Sequence, residues 1–305
     1  MKATGVFFLY LLGCLALGAL LSYPLMATGW IDQAPHRVMG RLTQVFILAG
    51  LWSFLKVIRL NSRAALGYGT ARDRFIPALW RGWLLGIAIL AVLALTELLL
   101  GVRVVAVVRG GWEGLVSKSL QAMIGGILVG FLEETFFRGA LFTAIRRKGS
   151  LAAAVLWTSS LYALLHFMKP GSLPHGVAFD WAGSWQMFTA VFTAAFRLSN
   201  LDSMTALVLV GVFLALVRER TGHIGWCIGL HAGWVFVIQV TRYLTNGDSA
   251  SPYAFLVGGY DGMIGWLAAG WIGLLAVAFL LFGVEHGGML GGARLAGRGD
   301  SGSEG

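Results

Sequence analysis

Apolar residues fill this chain in long unbroken stretches, not in the one-face or alternating patterns of soluble helices and strands. Stretches long enough to cross about 30 Å of hydrocarbon, at about 1.5 Å per helical residue, occur at roughly 4 to 26, 42 to 60, 80 to 102 and 116 to 146, and again at roughly 151 to 167, 203 to 219, 223 to 241 and 263 to 283. They predict an all-α, polytopic transmembrane bundle of about eight spans. A ninth stretch, Trp185 to Phe196, is too short to cross unaided and reads as an interfacial or re-entrant helix. The run that begins near Thr4 exceeds the core of a signal peptide, which is about 7 to 15 residues, and is expected to be a retained first span.

Composition excludes the soluble alternatives. Of the 305 residues 57% are hydrophobic and 12% charged, with a mean hydropathy of +0.77, where soluble domains carry about a quarter charged residues. The net charge of +9 would point to nucleic acid in a soluble protein, but the basic residues lie between apolar runs and are not interleaved with aromatics. No nucleic-acid partner is expected. The basic residues instead set orientation. Lys56, Arg59, Arg63, Arg72, Arg74 and Arg81 stand against Asp73 alone, and Arg146, Arg147 and Lys148 follow the fourth run, so both connections should face the cytoplasm. Arg218 and Arg220 then also lie inside, with Arg103 and Arg109 outside as exceptions. The expected protein is multi-pass in a cell (inner) membrane.

The organisation expected is N-terminal helices with a basic loop over 1–114, a core over 115–240, a last span over 241–286 and a Gly/Ser-rich disordered tail over 287–305. Cys14 and Cys227 lie in apolar runs without ligand spacing and read as buried bystanders.

Candidate chemistry sits inside the fourth run. Glu133, Glu134 and Arg138 each cost about 2.5 to 3.5 kcal/mol at a helix centre and need partners or a wet cavity. Glu134 and Arg138 are four apart with Glu first, the favourable order for an ion pair, which makes them a structural pair. Glu133, five residues from Arg138, has no mate on its own helix and suits a general base. The tight connection Arg146 to Ser150 should fold the fourth and fifth runs into an antiparallel hairpin. Glu133 and His166 then lie at the same depth, each about 25 Å from the turn. His231, in the middle of the seventh run, adds a third ionisable group. Taken singly, each of these histidines reads as a hydrogen-bonded core residue, and Arg138 as a boundary charge. His36, His175, Asp180, His223 and His286 fall in loops or boundary segments and read as interfacial. Gly126 and Gly130 form a GxxxG pair suited to close helix packing.

These residues resemble the CPBP family of intramembrane endopeptidases, which includes the Ras-converting CAAX endopeptidase. EExxxR appears as Glu133, Glu134 and Arg138 in "EETFFRG", an aromatic-xxx-His motif as Tyr162 and His166 in "YALLH", and the late histidine as His231 in "RERTGHIGWCIGLHAGW". The resemblance covers about residues 115 to 240. It implies hydrolysis of peptide bonds in a membrane-associated protein or peptide. Carried over by position, Glu133 is the base that activates water, His231 its helper and His166 an oxyanion donor. Two departures stand out: Tyr162 replaces the usual Phe, and Val235 replaces the Asn or Asp four residues after His231. Trp234 and Gln239 are the candidate substitutes for that missing donor. Two His and a Glu are also a zinc ligand set, but no HExxH spacing is present, and metal-free water activation is favoured. Prenylated substrates are not carried over. The competing readings are a non-catalytic relative that binds a membrane partner or peptide, which Val235 favours, and a proton-coupled transporter, against which the lack of a visible repeat counts.

Overall fold

The computed structural model describes residues 2–106, 110–174 and 176–282. The expected tail over 287–305, and with it Arg109, His175 and His286, lies outside the described residues. The chain is a helical bundle: α1 (Lys2–Ala27), α2 (Pro35–Val57), α3 (Arg72–Leu99), α4 (Gly111–Glu134), α5 (Phe142–Arg146), α6 (Leu151–Phe167), α7 (Trp181–Ala195), α8 (Leu201–Thr221), α9 (Gly225–Leu244) and α10 (Trp266–Phe282). Each of the eight apolar runs is therefore helical. By length and composition, α1, α2, α3, α8 and the combined Gly111–Arg146 segment can cross a membrane alone, while α6 and α10 are shorter, at 17 residues each. Among the described residues one small sheet interrupts the helices: Arg103–Val105 (β1) pairs antiparallel with Thr245–Gly247 (β2).

α9 is not among the helices apolar enough to cross alone, and its packing explains why. It is enclosed by α3 and α4, so its polar residues need not face lipid. Glycines make that enclosure possible. Gly82 and Gly86 of α3 meet Gly229 and Gly233 of α9 backbone to backbone, and a Cβ on either α9 glycine would overlap the carbonyl of Leu79 or Trp83. On the other side, a Cβ on Gly126 would come within 2.8 Å of the Ala232 carbonyl and one on Gly130 within 3.0 Å of that of Ile228. Small residues at four-residue spacing let helix backbones approach closely where lipid gives no hydrophobic drive to associate.

The fourth run is not one continuous α-helix. Between α4 and α5 the backbone passes through a π-helical turn, Thr135–Leu141, buried throughout. Hydrophobic periodicity does not signal such turns, which recur at functional sites. The chain then reverses at Arg147–Ser150, and the Ser150 hydroxyl accepts the Ala153 N–H to cap α6. The ninth stretch is α7, capped by Asp180 Oδ1, which accepts the Gly183 N–H at 2.8 Å. Its buried face (Ser184, Met187, Val191) packs on α1 through the Ser184 hydroxyl, which donates to the Ala19 carbonyl at 2.6 Å, while Trp181 and Trp185 remain exposed.

Candidate active site

The site is built from α4, the π turn, α6 and α9. Glu134 is fully buried, and its Oε1 accepts from Arg138 Nη1 at 2.9 Å, as the four-residue spacing predicts. The same oxygen accepts from His231 Nδ1 at 2.8 Å. The intrahelical pair was legible in the sequence. The bridge to His231 was not, because spacing along one helix carries no information on what faces it from another.

Arg138, also fully buried, donates Nη2 to the Gly211 carbonyl at 3.2 Å and lies 4.6 Å from the Tyr162 ring centroid. Its own carbonyl accepts from Arg218 Nε at 3.3 Å. The π turn is held beside it by Thr135, whose hydroxyl donates to the Phe131 carbonyl and hydrogen-bonds the Tyr68 hydroxyl. Tyr68 lies in the connection between α2 and α3, where burial pushes its hydroxyl up to about 12. One charge is thus fixed by a carboxylate, a carbonyl and an aromatic face drawn from three helices, which is how a guanidinium is tolerated in an apolar interior.

Glu133 projects to the other side. Its side chain is 30% exposed, and its Oε2 lies 3.7 Å from His166 Nε2 and 3.8 Å from His231 Nε2, too far for direct hydrogen bonds. Both histidines are oriented through their other nitrogen. His166 Nδ1 is 2.8 Å from the Tyr162 carbonyl, which only a donor N–H satisfies, and His231 Nδ1 faces the Glu134 carboxylate. Both Nε2 atoms are therefore left to face Glu133. Tyr162 carries more than its place in a motif suggests. Its ring lies tilted against that of His166, centroids 4.4 Å apart, and meets His231 edge-on at 6.2 Å, so one aromatic side chain packs beside both histidines and the buried arginine.

Val235 is half-buried. Of its candidate substitutes, Gln239 is engaged across to α4, where its Oε1 accepts from Lys118 Nζ at 3.1 Å. Trp234 is buried against Phe213, and its indole N–H has no hydrogen-bond partner. Neither cysteine enters the site: Cys227 is buried with its thiol donating toward the Leu214 carbonyl, and Cys14 is buried in α1. His223, expected to be interfacial, is buried between α8 and α9. Its Nδ1 accepts the Gly225 N–H at 3.1 Å, and burial and Arg218 push its pKa below the usual histidine value.

The side chains with ligand chemistry at the site are Glu133, His166 and His231, but among the described residues no group of three or more His, Cys, Asp or Glu is arranged to hold a metal ion. Residues 115–237 match the family described as type II CAAX prenyl endopeptidase Rce1-like, a match that covers the EExxxR, aromatic-xxx-His and late-histidine motifs and supports the CPBP resemblance. That is a protease family, so the similarity points to a peptidase in a multi-pass membrane protein. No curated protein and no solved structure matches the chain.

Proposed function

We propose that the core over residues 115–240 is an intramembrane endopeptidase that hydrolyses a peptide bond in a membrane-associated protein or peptide, with Glu133 as the general base. The observation that carries this reading is the convergence of Glu133 Oε2 and the two Nε2 atoms across gaps of 3.7 and 3.8 Å. A water at hydrogen-bond distance, about 2.8 Å, from Glu133 Oε2 and from either Nε2 would subtend an angle of about 85°, so one molecule fits between the carboxylate and a facing histidine. In that place Glu133 takes its proton as the oxygen attacks the carbonyl carbon, and returns it to the amine nitrogen as the oxyanion collapses and the C–N bond breaks.

The hydrogen bonds support a division of labour opposite to the one the resemblance carries over. His231 is backed by the Glu134 carboxylate, as an imidazole is backed in a hydrolytic triad, so it can carry protons on both nitrogens and present Nε2–H to the developing oxyanion. His166 is backed by a neutral carbonyl, which suits a neutral imidazole whose Nε2 accepts from the attacking water beside Glu133. Glu134 and Arg138 act by holding His231. Metal-free activation remains our reading.

A second reading, a relative that binds a membrane partner without cleaving it, is favoured by one observation, the apolar Val235 where the family places an amide. Protein reconstituted in lipid and incubated with membrane-protein and peptide libraries separates the two. New termini that appear with the wild-type chain and not with Glu133→Gln support the peptidase, and binding without any Glu133-dependent cleavage supports the alternative. Activity lost to a chelator and restored by zinc would replace the metal-free step.

A further inference from the structure

The hydroxyl of Tyr162 makes no hydrogen bond among the described residues, although the residue is only 2% exposed. Everything the ring does could be done by a phenylalanine: it meets Phe137 edge-on at 5.1 Å, faces the Arg138 guanidinium at 4.6 Å and packs beside His166 and His231. Buried polar groups are rarely left unpaired, because each gives up its water without compensation. A hydroxyl kept in such a place needs an acceptor that comes from outside the fold.

Its surroundings identify that acceptor. Among the charged side chains Glu133 acts most strongly on the phenolic oxygen, ahead of Arg138 and Glu134, so the hydroxyl lies among the reacting groups. Of the three side chains that converge there, Glu133 and His166 Nε2 accept, and His231 Nε2–H alone donates, in the division of labour proposed for them. The attacked carbonyl oxygen gains negative charge and is stabilised by donors placed around it in advance. A phenol can serve in that role without titrating, since its ordinary pKa of about 10 keeps the proton on oxygen at neutral pH. One turn beyond His231 stands Val235, whose side chain has no donor. The same site thus holds a hydroxyl at 162 and lacks an amide at 235.

We propose that the Tyr162 hydroxyl is a catalytic group: beside His231 Nε2–H it donates a hydrogen bond to the substrate carbonyl oxygen, supplying the donor that Val235 cannot. The bond strengthens as that oxygen becomes the oxyanion. The proton stays on Tyr162 throughout, so no bond to hydrogen is broken there. This role rests on the peptidase reading.

The test is a double-mutant cycle on positions 162 and 235, in lipid, with the fastest-cleaved member of a membrane-anchored peptide library as substrate and Glu133→Gln as the blank. Tyr162→Phe keeps the ring contacts and, at a matched unfolding midpoint, should lower kcat about 100- to 1000-fold with little change in KM. Val235→Asn should restore at least about 10-fold in the Tyr162→Phe background and raise the wild-type rate by a smaller factor, because both donors serve one oxygen. Tyr260→Phe is the control: its ring lies 6.3 Å from that of His166, its hydroxyl already accepts from Lys169 Nζ at 2.7 Å, and the wild-type rate is expected. Glu133-dependent cleavage by Tyr162→Phe at the wild-type rate overturns the role of Tyr162 and leaves the peptidase reading standing. A loss confined to Tyr260→Phe overturns it as well. A loss in Tyr162→Phe that Val235→Asn does not repair, with the acid limb of kcat/KM moved to higher pH, places the hydroxyl on the Glu133 carboxylate and overturns the oxyanion assignment. No Glu133-dependent cleavage of any library member by the wild type removes the peptidase reading and this role with it.

Discussion

His231 and Arg138 share a single oxygen: Glu134 Oε1 accepts from His231 Nδ1 at 2.8 Å and from Arg138 Nη1 at 2.9 Å. Removing that carboxylate leaves a buried guanidinium without its counter-charge and His231 without its orienting acceptor. Loss of one partner from a buried ion pair costs about 3 to 5 kcal/mol. Glu134→Gln should therefore lower the unfolding midpoint in lipid or detergent, whereas Glu133→Gln, at a part-exposed position without a hydrogen bond to Oε2, should leave it close to wild type. Equal midpoints for the two variants would remove the distinction between scaffold and chemistry.

Tyr162 separates ring from hydroxyl. The ring contacts Arg138, His166 and His231, so Tyr162→Ala should destabilise by about 3 to 5 kcal/mol through cavity formation and a further ~1 kcal/mol through the lost cation–π contact. Tyr162→Phe keeps all three contacts and should unfold like the wild type. Chemical denaturation of the three chains in one detergent is the check, and a Phe variant as unstable as the Ala variant would place the stabilisation in the hydroxyl.

The enclosure of α9 rests on glycine at defined positions. Gly229→Ala drives a methyl into the backbone of α3 and should abolish stable expression or cost several times the ordinary surface effect of about 0.5 kcal/mol. Gly270→Ala, in α10 with open space around its Cα, should be neutral or stabilising by about 0.5 to 1 kcal/mol. Thermal stability of the purified pair measures the difference directly.

His223 makes stability depend on pH in one direction. Burial first, and then Arg218, disfavour its charged form, so its folded pKa lies below the ordinary 6.5. The unfolded chain takes up the proton first as pH falls. Stability from this residue is complete above about 6.5 and is lost as pH drops toward the folded value, where protonation of Nδ1 also breaks its bond to the Gly225 N–H. Unfolding midpoints from about pH 8 to about pH 5 should fall more steeply for the wild type than for His223→Gln.

Val235 tests the oxyanion directly. With Gln239 engaged by Lys118 and the Trp234 ring buried against Phe213, an amide at position 235 should raise turnover, by at most the roughly 100- to 1000-fold that one oxyanion donor supplies elsewhere. An unchanged rate in Val235→Asn would show that another donor already serves that oxygen.

The sequence was most informative where one helix, or one tight hairpin, fixes the geometry. Apolar run length located the helices, the four-residue spacing anticipated the Glu134–Arg138 pair, and equal distances from the Arg146–Ser150 turn anticipated His166 facing Glu133. Features that need a third helix were not legible. Glu134 as the acceptor for His231, and the enclosure of α9 by the glycines of α3, depend on which faces meet across the bundle. The π turn escaped for another reason: it changes the hydrogen-bond register of an apolar segment without changing its composition.

The central claim is that Glu133 activates the attacking water while the scaffold around it stays intact. Its most direct test is the initial rate of appearance of new termini from a lipid-reconstituted substrate, compared between wild type and Glu133→Gln preparations with matched unfolding midpoints. We expect the variant to lose at least about 100-fold, the lower end of what a positioned base contributes. Cleavage by Glu133→Gln at the wild-type rate would contradict the account.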